Sequence, residues 1–204
     1  MRPFAIVENR PYYRCPLCDW TALDKTHFLG ADEQRARYLL HENTPDNTGY
    51  VAMFERFLAA CVEPYCPNAR TSLDFGCGPG PVLAGLLKKR GLDVDTYDLF
   101  FAPETSYRSK TYDLITSTEV LEHIPEPMPV LRELAGRISN TGIIALMTLF
   151  APEDAASFSK WWYLKDPTHV SFYTLKTFEV MARNLDMRVL FLDNKQMCVL
   201  GRLK

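Results

Sequence analysis

Apolar positions along this chain change rhythm near residue 70. Between 48 and 62 they keep helical spacing, with Tyr50, Phe54, Phe57 and Cys61 on one stripe and Val51, Leu58 and Val62 beside it. Pro64 and Pro67 end that helix. An earlier helix is predicted over 32–43, where good helix formers follow Asp32 as a candidate N-cap. After residue 70, short apolar runs alternate with amphipathic stretches. Strands are predicted at Thr71–Phe75, Val94–Asp98 and Tyr112–Ser117, and the run Ile143–Leu149, after a turn at Asn140-Thr141-Gly142, reads as a strand covered on both faces. Helices are expected from Pro81 to just before Gly91, over Pro129–Ile138, and over Leu175–Leu185 behind Thr174. A long loop takes 151–173, and Met187–Leu192 with Gln196–Leu203 reads as a closing hairpin.

This order predicts an α/β fold, a Rossmann-like, mostly parallel twisted sheet with helices on both faces and a C-terminal antiparallel hairpin. Ligands of such sheets sit beyond the carboxyl ends of the strands, where the strand order switches. Asp74-Phe75-Gly76-Cys77-Gly78-Pro79-Gly80 stands at one such end, and Asp98 and the Ser117–Glu119 turn stand at two others. Three closely spaced glycines let a ligand press against bare backbone, although a plain Gly/Pro turn is the simpler reading. A dinucleotide site asks for G-x-G-x-x-G. Here the spacing is G-x-G-x-G, and Asp74 at the mouth would repel a pyrophosphate but suit a cation. Asp98 offers two acceptor oxygens to ribose hydroxyls.

Composition changes this picture little. The chain is 47% hydrophobic and 24% charged, as in ordinary globular proteins. Its 204 residues suit one main domain over 45–204 with a small appendage over 1–44. A net charge of −2 and a pI near 6.1 speak against nucleic-acid or anionic-membrane partners. The start Met1-Arg2-Pro3 is no signal peptide and no apolar run approaches 18 residues, so a cytoplasmic protein is expected. Nothing in the sequence speaks to oligomeric state.

Cysteine adds one further candidate. Cys15-Pro16-Leu17-Cys18 is a knuckle whose turn aims two sulfurs at one point, and His27 and His41 are the histidines available to complete a four-ligand structural zinc site. A reduced pair in a surface turn is the other reading. A thioredoxin-like motif would need a strand–CxxC–helix context that is not visible.

Asp74 through Gly80 resembles the first motif of the class I S-adenosylmethionine (SAM)-dependent methyltransferases. Asp98 matches that family's ribose-binding acid, and Tyr112 through His123 looks like its fourth strand and following turn. The resemblance covers about residues 45–204. It implies that Asp74, Gly76, Cys77, Gly78, Gly80, Asp98, Thr118 and Glu119 hold SAM, with S-adenosylhomocysteine (SAH) as product and a small molecule as acceptor. Asp166 through Tyr173, after Trp161-Trp162-Tyr163, is similar to a bacterial small-molecule subgroup of unassigned substrate. There is one departure. Only 13 residues separate Asp98 from Tyr112, too few for the family's usual helix, third strand and helix. That strand is expected to be reduced or missing, with Phe100, Phe101 or the N-terminal helices covering the adenine.

Methyl transfer from a sulfonium needs alignment and exclusion of water, and a base only where the acceptor must lose a proton. His169, His123 and Tyr173 are the catalytic candidates, with Glu119 close to the donor's methionine end. His169 reads equally as a brace for its loop, and His123 reads first as a brace for its turn. Two rival functions stay open, a non-catalytic SAM-binding or zinc-ribbon interaction protein and an NAD-dependent oxidoreductase.

Overall fold

The computed structural model describes residues 1–40 and 44–203. The chain opens with three short antiparallel strands, β1 (Arg2–Val7), β2 (Arg10–Arg14) and β3 (Thr21–Leu23). Glu8 and Asn9, both at positive φ, close the first hairpin, as a tight two-residue turn demands. Cys15–Trp20 close the second, tied by a 2.8 Å bond from the Cys15 N–H to the Trp20 carbonyl. The sequence predicts only a knuckle here, because Pro3 and Pro11 interrupt strands too short to show a clear alternation.

Helix α1 (Ala31–Tyr38) starts one residue before the expected cap. Gly30 is the N-cap, and the Glu33 carboxylate folds back to accept from its N–H at 2.9 Å. The last three residues of the predicted 32–43 helix, His41 among them, lie outside the described residues. Helix α2 (Thr48–Phe57), capped by Asn47, runs on through a π turn to Val62.

The remaining elements are β4 (Thr71–Phe75), α3 (Val82–Lys89), β5 (Asp93–Tyr97), β6 (Tyr112–Thr118), α4 (Pro127–Ala135), β7 (Ile138–Met147), α5 (Ala155–Ser159), β8 (Ser171–Phe172), α6 (Leu175–Asn184), β9 (Met187–Leu192) and β10 (Met197–Arg202). Six strands form one sheet in the order β5-β4-β6-β7-β10-β9. The first four run parallel, and β10 and β9 are antiparallel, so the expected sheet and hairpin are present. Among the described residues, no third strand lies between β5 and β6. The chain makes an isolated bridge between Asp98 and Ala102 and a 3-10 turn over Thr105–Ser109, which leaves β5 at the sheet edge.

Two expectations need correction. Asn140-Thr141-Gly142 does not turn but continues β7 through an irregular register against β6. Backbones press together there, since a Cβ on Gly142 would sit 2.9 Å from the Tyr112 carbonyl oxygen. The stretch 151–173 is not a plain loop either. It holds α5, a 3-10 turn over Trp162–Lys165, and β8, which pairs with β3 (Thr21 opposite Phe172) to complete a second sheet, β1-β2-β3-β8. Two strand residues gave no period to read.

Successive strand residues face opposite sides of a sheet. Leu114 joins Phe57, Leu83 and Leu87 in the core under α2 and α3, while Ile115 joins Leu131, Leu134 and Phe178 under α4 and α6. A third cluster, including Tyr12, Leu23, Phe158 and Phe172, packs the small sheet onto the 151–173 stretch. Among the described residues, no helix is long and apolar enough to cross a membrane.

Candidate active site

A crevice opens beyond the carboxyl ends of β4, β5 and β6, at the point where β4 is flanked by β5 on one side and β6 on the other. Its volume is about 1390 Å³. Sites for one drug-sized ligand run to roughly 300–1,000 Å³, so two ligands can share this one.

One end is built mainly from backbone. Gly76 sits at φ +82°, and a Cβ there would lie 2.2 Å from Val120 Cγ2, so nothing larger fits. The Gly76 and Cys77 N–H groups both donate to the Tyr97 carbonyl, at 2.7 and 3.1 Å. The Gly78 N–H donates to Asp98 Oδ2 at 3.0 Å, while Phe100 and Phe101 N–H donate to Oδ1 at 2.8 and 3.1 Å. A carboxylate offers about four acceptor sites, so Asp98 braces the loop and keeps some capacity for a ligand. Asp74 is 3% exposed and accepts from Thr116 Oγ1 at 3.1 Å. Burial pushes its pKa up to about 7 despite that bond. It therefore calls for either a proton or a cation. Burial also pushes the Cys77 thiol up to about 12, which makes it an inert loop residue.

Thr118, Glu119 and Tyr50 line this end, as do Phe100 and Phe101. The Tyr38 ring of α1 stands 5.7 Å from Phe100, so an N-terminal helix and the post-β5 aromatics together wall the cavity next to Asp98. Glu119 holds the left-handed conformation (φ +54°), a strained choice for a non-glycine residue. Burial, then the Glu122 charge, raises its pKa well above the usual carboxylate range.

Side chains build the other end. Glu122 is fully buried, and its Oε1 accepts from the Tyr163 hydroxyl at 2.5 Å; Glu119 Oε2 lies 3.2 Å from the same hydroxyl. The His169 ring is 4.0 Å from that of Tyr163 and 4.8 Å from that of His123. Nδ1 of His169 faces the Tyr163 carbonyl at 2.8 Å, and Nδ1 of His123 faces the Thr168 carbonyl at 3.2 Å. A carbonyl only accepts, so each Nδ1 carries a proton, and the neutral His169 ring keeps Nε2 as a base. Burial lowers the His169 pKa and favours that neutral form.

The small sheet holds this end in place. The Val170 N–H donates to the Glu122 carbonyl at 2.8 Å, and the Leu23 N–H donates to the Val170 carbonyl at 2.9 Å. The segment carrying His169 is thus clamped between β3 and the turn carrying Glu122 and His123. Tyr173, a catalytic candidate from sequence, does not reach the cavity. It is fully buried, donates to the Leu121 carbonyl at 2.7 Å and stacks on Phe178, so it braces the Glu122 turn from behind. Sequence reasoning missed Glu122, Tyr38 and the α1 residue Arg37, whose Nε and Nη2 grip Asp166 Oδ2 at 3.0 and 2.9 Å. The neighbour of His123 was the available signal for Glu122; the other two depend on how α1 folds over the crevice.

Of the four expected zinc ligands, His41 lies outside the described residues. Cys15 and Cys18 are free thiols at the tip of the β2–β3 turn. His27 lies on an exposed 3-10 turn, and no group of three metal ligands among the described residues includes these cysteines or His27.

Fold and crevice define a doubly wound α/β domain with carboxylates at the ends of adjacent strands. A family model described as a methyltransferase domain matches residues 40–191, and the chain belongs to that family. The ubiquinone biosynthesis O-methyltransferase of Aliivibrio fischeri (strain MJ11) is 32% identical over 101 residues, 38% of this chain and 43% of that protein. The Escherichia fergusonii protein of the same name is 28% identical over 134 residues, 54% of this chain and 52% of its own. The chain spans about half the length of the curated relatives it matches. Streptomyces venezuelae DesVI superposes with a TM-score of 0.59 at 14% identity, over 85% of this chain and 98% of that one. The plantazolicin methyltransferase BpumL, in complex with SAH, gives 0.57 at 17% identity, over 88% and 93%. At such identities these structures speak for the fold.

Proposed function

We propose that this chain transfers the methyl group of SAM to a small-molecule acceptor, releasing SAH. The observation that carries the reading is Asp74 and Asp98 at the ends of β4 and β5, on either side of a glycine loop whose cradle no side chain fills. The residues fit this donor. A buried carboxyl with a pKa near 7 ionises readily beside a cation, and Asp98 retains acceptor capacity for a ribose hydroxyl. When bound, SAM supplies a methyl group on a positively charged sulfur, an excellent leaving group.

The chain's own work is to align and to keep dry. The glycine loop and the two acids fix the donor, while Trp161, Trp162 and Tyr163 form an aromatic wall for the acceptor. The two curated relatives named above are O-methyltransferases, which supports an oxygen acceptor. A hydroxyl must then lose its proton, and His169 takes it at Nε2. A nicotinamide cofactor fits less well, because its pyrophosphate would meet Asp74.

Calorimetry with SAM, SAH and NADH tests the donor. One SAM or SAH should bind per chain, and NADH should not. Label transfer from methyl-labelled SAM to a panel of phenols and other hydroxyl compounds tests turnover. Tight SAM binding without transfer to any of them would favour a non-catalytic SAM-binding protein.

A further inference from the structure

We propose that the acceptor is an aromatic hydroxyl compound carrying a carboxylate or phosphate group, and that Lys165 and Lys195 bind this anion at the mouth of the crevice. This names the acceptor class for the methyl-transfer reading and rests on it. Both lysines line the crevice, and they come from separate elements. Lys165 ends the 3-10 turn after Trp161, and Lys195 sits in the turn between β9 and β10. Both are exposed, and neither ammonium has an ion-pair or hydrogen-bond partner among the described residues.

The carboxylates nearest to them in sequence are engaged elsewhere. Asp166 gives Oδ2 to the Arg37 guanidinium and Oδ1 to the N–H and hydroxyl of Thr168, at 3.0 and 2.5 Å. Those bonds fill the capacity of a carboxylate. Asp193 takes the Lys195, Gln196 and Met197 N–H groups on Oδ1, at 2.9, 2.7 and 2.8 Å. Both lysines also stand on fixed backbone. The Leu164 carbonyl accepts from Arg10 Nη2 at 3.0 Å, and the Lys195 carbonyl accepts from the Phe150 N–H at 2.8 Å. Of the other acids lining this end, Glu119 is held well above the usual carboxylate range and Glu122 is buried on the Tyr163 hydroxyl. The whole chain carries a net charge of −2, so two uncompensated cations on one crevice do not follow from its composition.

The segment that carries Lys165 supplies the rest of the complement. The Trp161 and Tyr163 rings, 4.9 Å apart, offer apolar surface to a planar ring, and His169 offers Nε2 to its hydroxyl. A neutral phenol would use the wall and the histidine and leave both ammoniums to water. An anion adds charge-assisted hydrogen bonds and is drawn toward the mouth before it docks. The methyl group goes to the hydroxyl, and the anion is held without reacting.

The test uses the full chain with hydroxybenzoates and hydroxycinnamates as free acids and as methyl esters, and with hydroxyphenyl phosphates beside their parent phenols. SAH binding by calorimetry comes first, and its absence would remove the methyl-transfer reading and this proposal with it. On the SAH-loaded protein, the best acid or phosphate should bind about 10-fold tighter than its neutral counterpart, as two exposed charge pairs allow. The arm with the larger ratio tells carboxylate from phosphate. Lys165→Met/Lys195→Met should bring that ratio to within about a factor of two of unity, with SAH affinity unchanged. High salt should shrink the wild-type ratio in the same direction. Turnover with methyl-labelled SAM should give a methyl ether, stable to mild alkali. Equal binding of anions and their neutral counterparts, no binding of any anionic phenol, a ratio that survives the double substitution, or a methyl ester as product would each overturn the anion site and leave the methyl-transfer reading standing. A parallel loss of SAH affinity in the double variant would assign the lysines to the donor's own carboxylate and overturn it as well.

Discussion

The two ends of the crevice are made in different ways. At the Asp74 end the shape belongs to the backbone. Glycines at positive φ, paired N–H groups on the Tyr97 carbonyl and the Asp98 carboxylate fix the loop before any ligand arrives. At the Glu122 end the shape belongs to side chains brought from 121–123, 161–169 and α1, held together by the small sheet. A backbone-built site tolerates few substitutions and fixes one ligand. A side-chain-built site can change its chemistry residue by residue while the scaffold stays.

The sharpest way to break this contrast is Gly76→Ala. The added methyl group meets Val120 at 2.2 Å, in a conformation that costs a non-glycine residue about 1–2 kcal/mol on its own. The expected outcome is a loss of several degrees in Tm and no measurable SAM binding by calorimetry. Wild-type affinity in a stable Gly76→Ala protein would show that the loop is not a rigid cradle. Next in size is His169→Gln at the other end. Turnover should fall at least about 100-fold, as for loss of a proton acceptor, with SAM affinity nearly unchanged. A parallel loss of both would mean that the two ends are not separable.

The same contrast explains what the sequence showed. Regular βα alternation and a glycine loop after an apolar strand are local signals, so β4, β5, β6 and the donor end were legible, including the missing strand, which simple counting of residues 99–111 revealed. Non-local features were not. β3 finds its partner β8 about 150 residues away, Glu122 meets His169 only through that pairing, and Tyr173 looked catalytic because proximity in sequence to His169 says nothing about which face of the chain it occupies.

A change of pH separates the ends at smaller cost. With its pKa raised to about 7 by burial, Asp74 is mostly protonated at pH 5.5 and half ionised at pH 7. SAM affinity should therefore rise roughly 10-fold over that interval, below the range where an amino group begins to titrate. The ligand-free protein should do the reverse. A raised carboxyl pKa contributes stability below the ordinary value near 4, and that contribution is lost as pH climbs toward 7. Asp74→Asn should flatten both profiles. A SAM affinity that stays constant from pH 5.5 to 7 in wild type would remove Asp74 from contact with the donor's charge.

The smallest expected effect concerns α1, which reaches the acceptor end through the Arg37–Asp166 pair and through the Tyr38 ring, 5.0 Å from that of His123. None of the α1 residues is buried, so the helix owes its place to such contacts rather than to a core. Hydrogen bonds from Thr168 and from Arg37 hold the Asp166 carboxyl well below the usual range against its partial burial, which keeps the pair charged through the physiological range. Arg37 is over a third exposed, and a pair of that kind contributes up to about 1 kcal/mol. Arg37→Ala should leave Tm within about 2 °C and SAM affinity unchanged, while KM for the acceptor rises a few-fold. The rise should shrink further at high salt, where the wild-type pair is itself screened. An equal change in SAM affinity would show that α1 closes over both ligands, and that the two ends of the crevice share one cover.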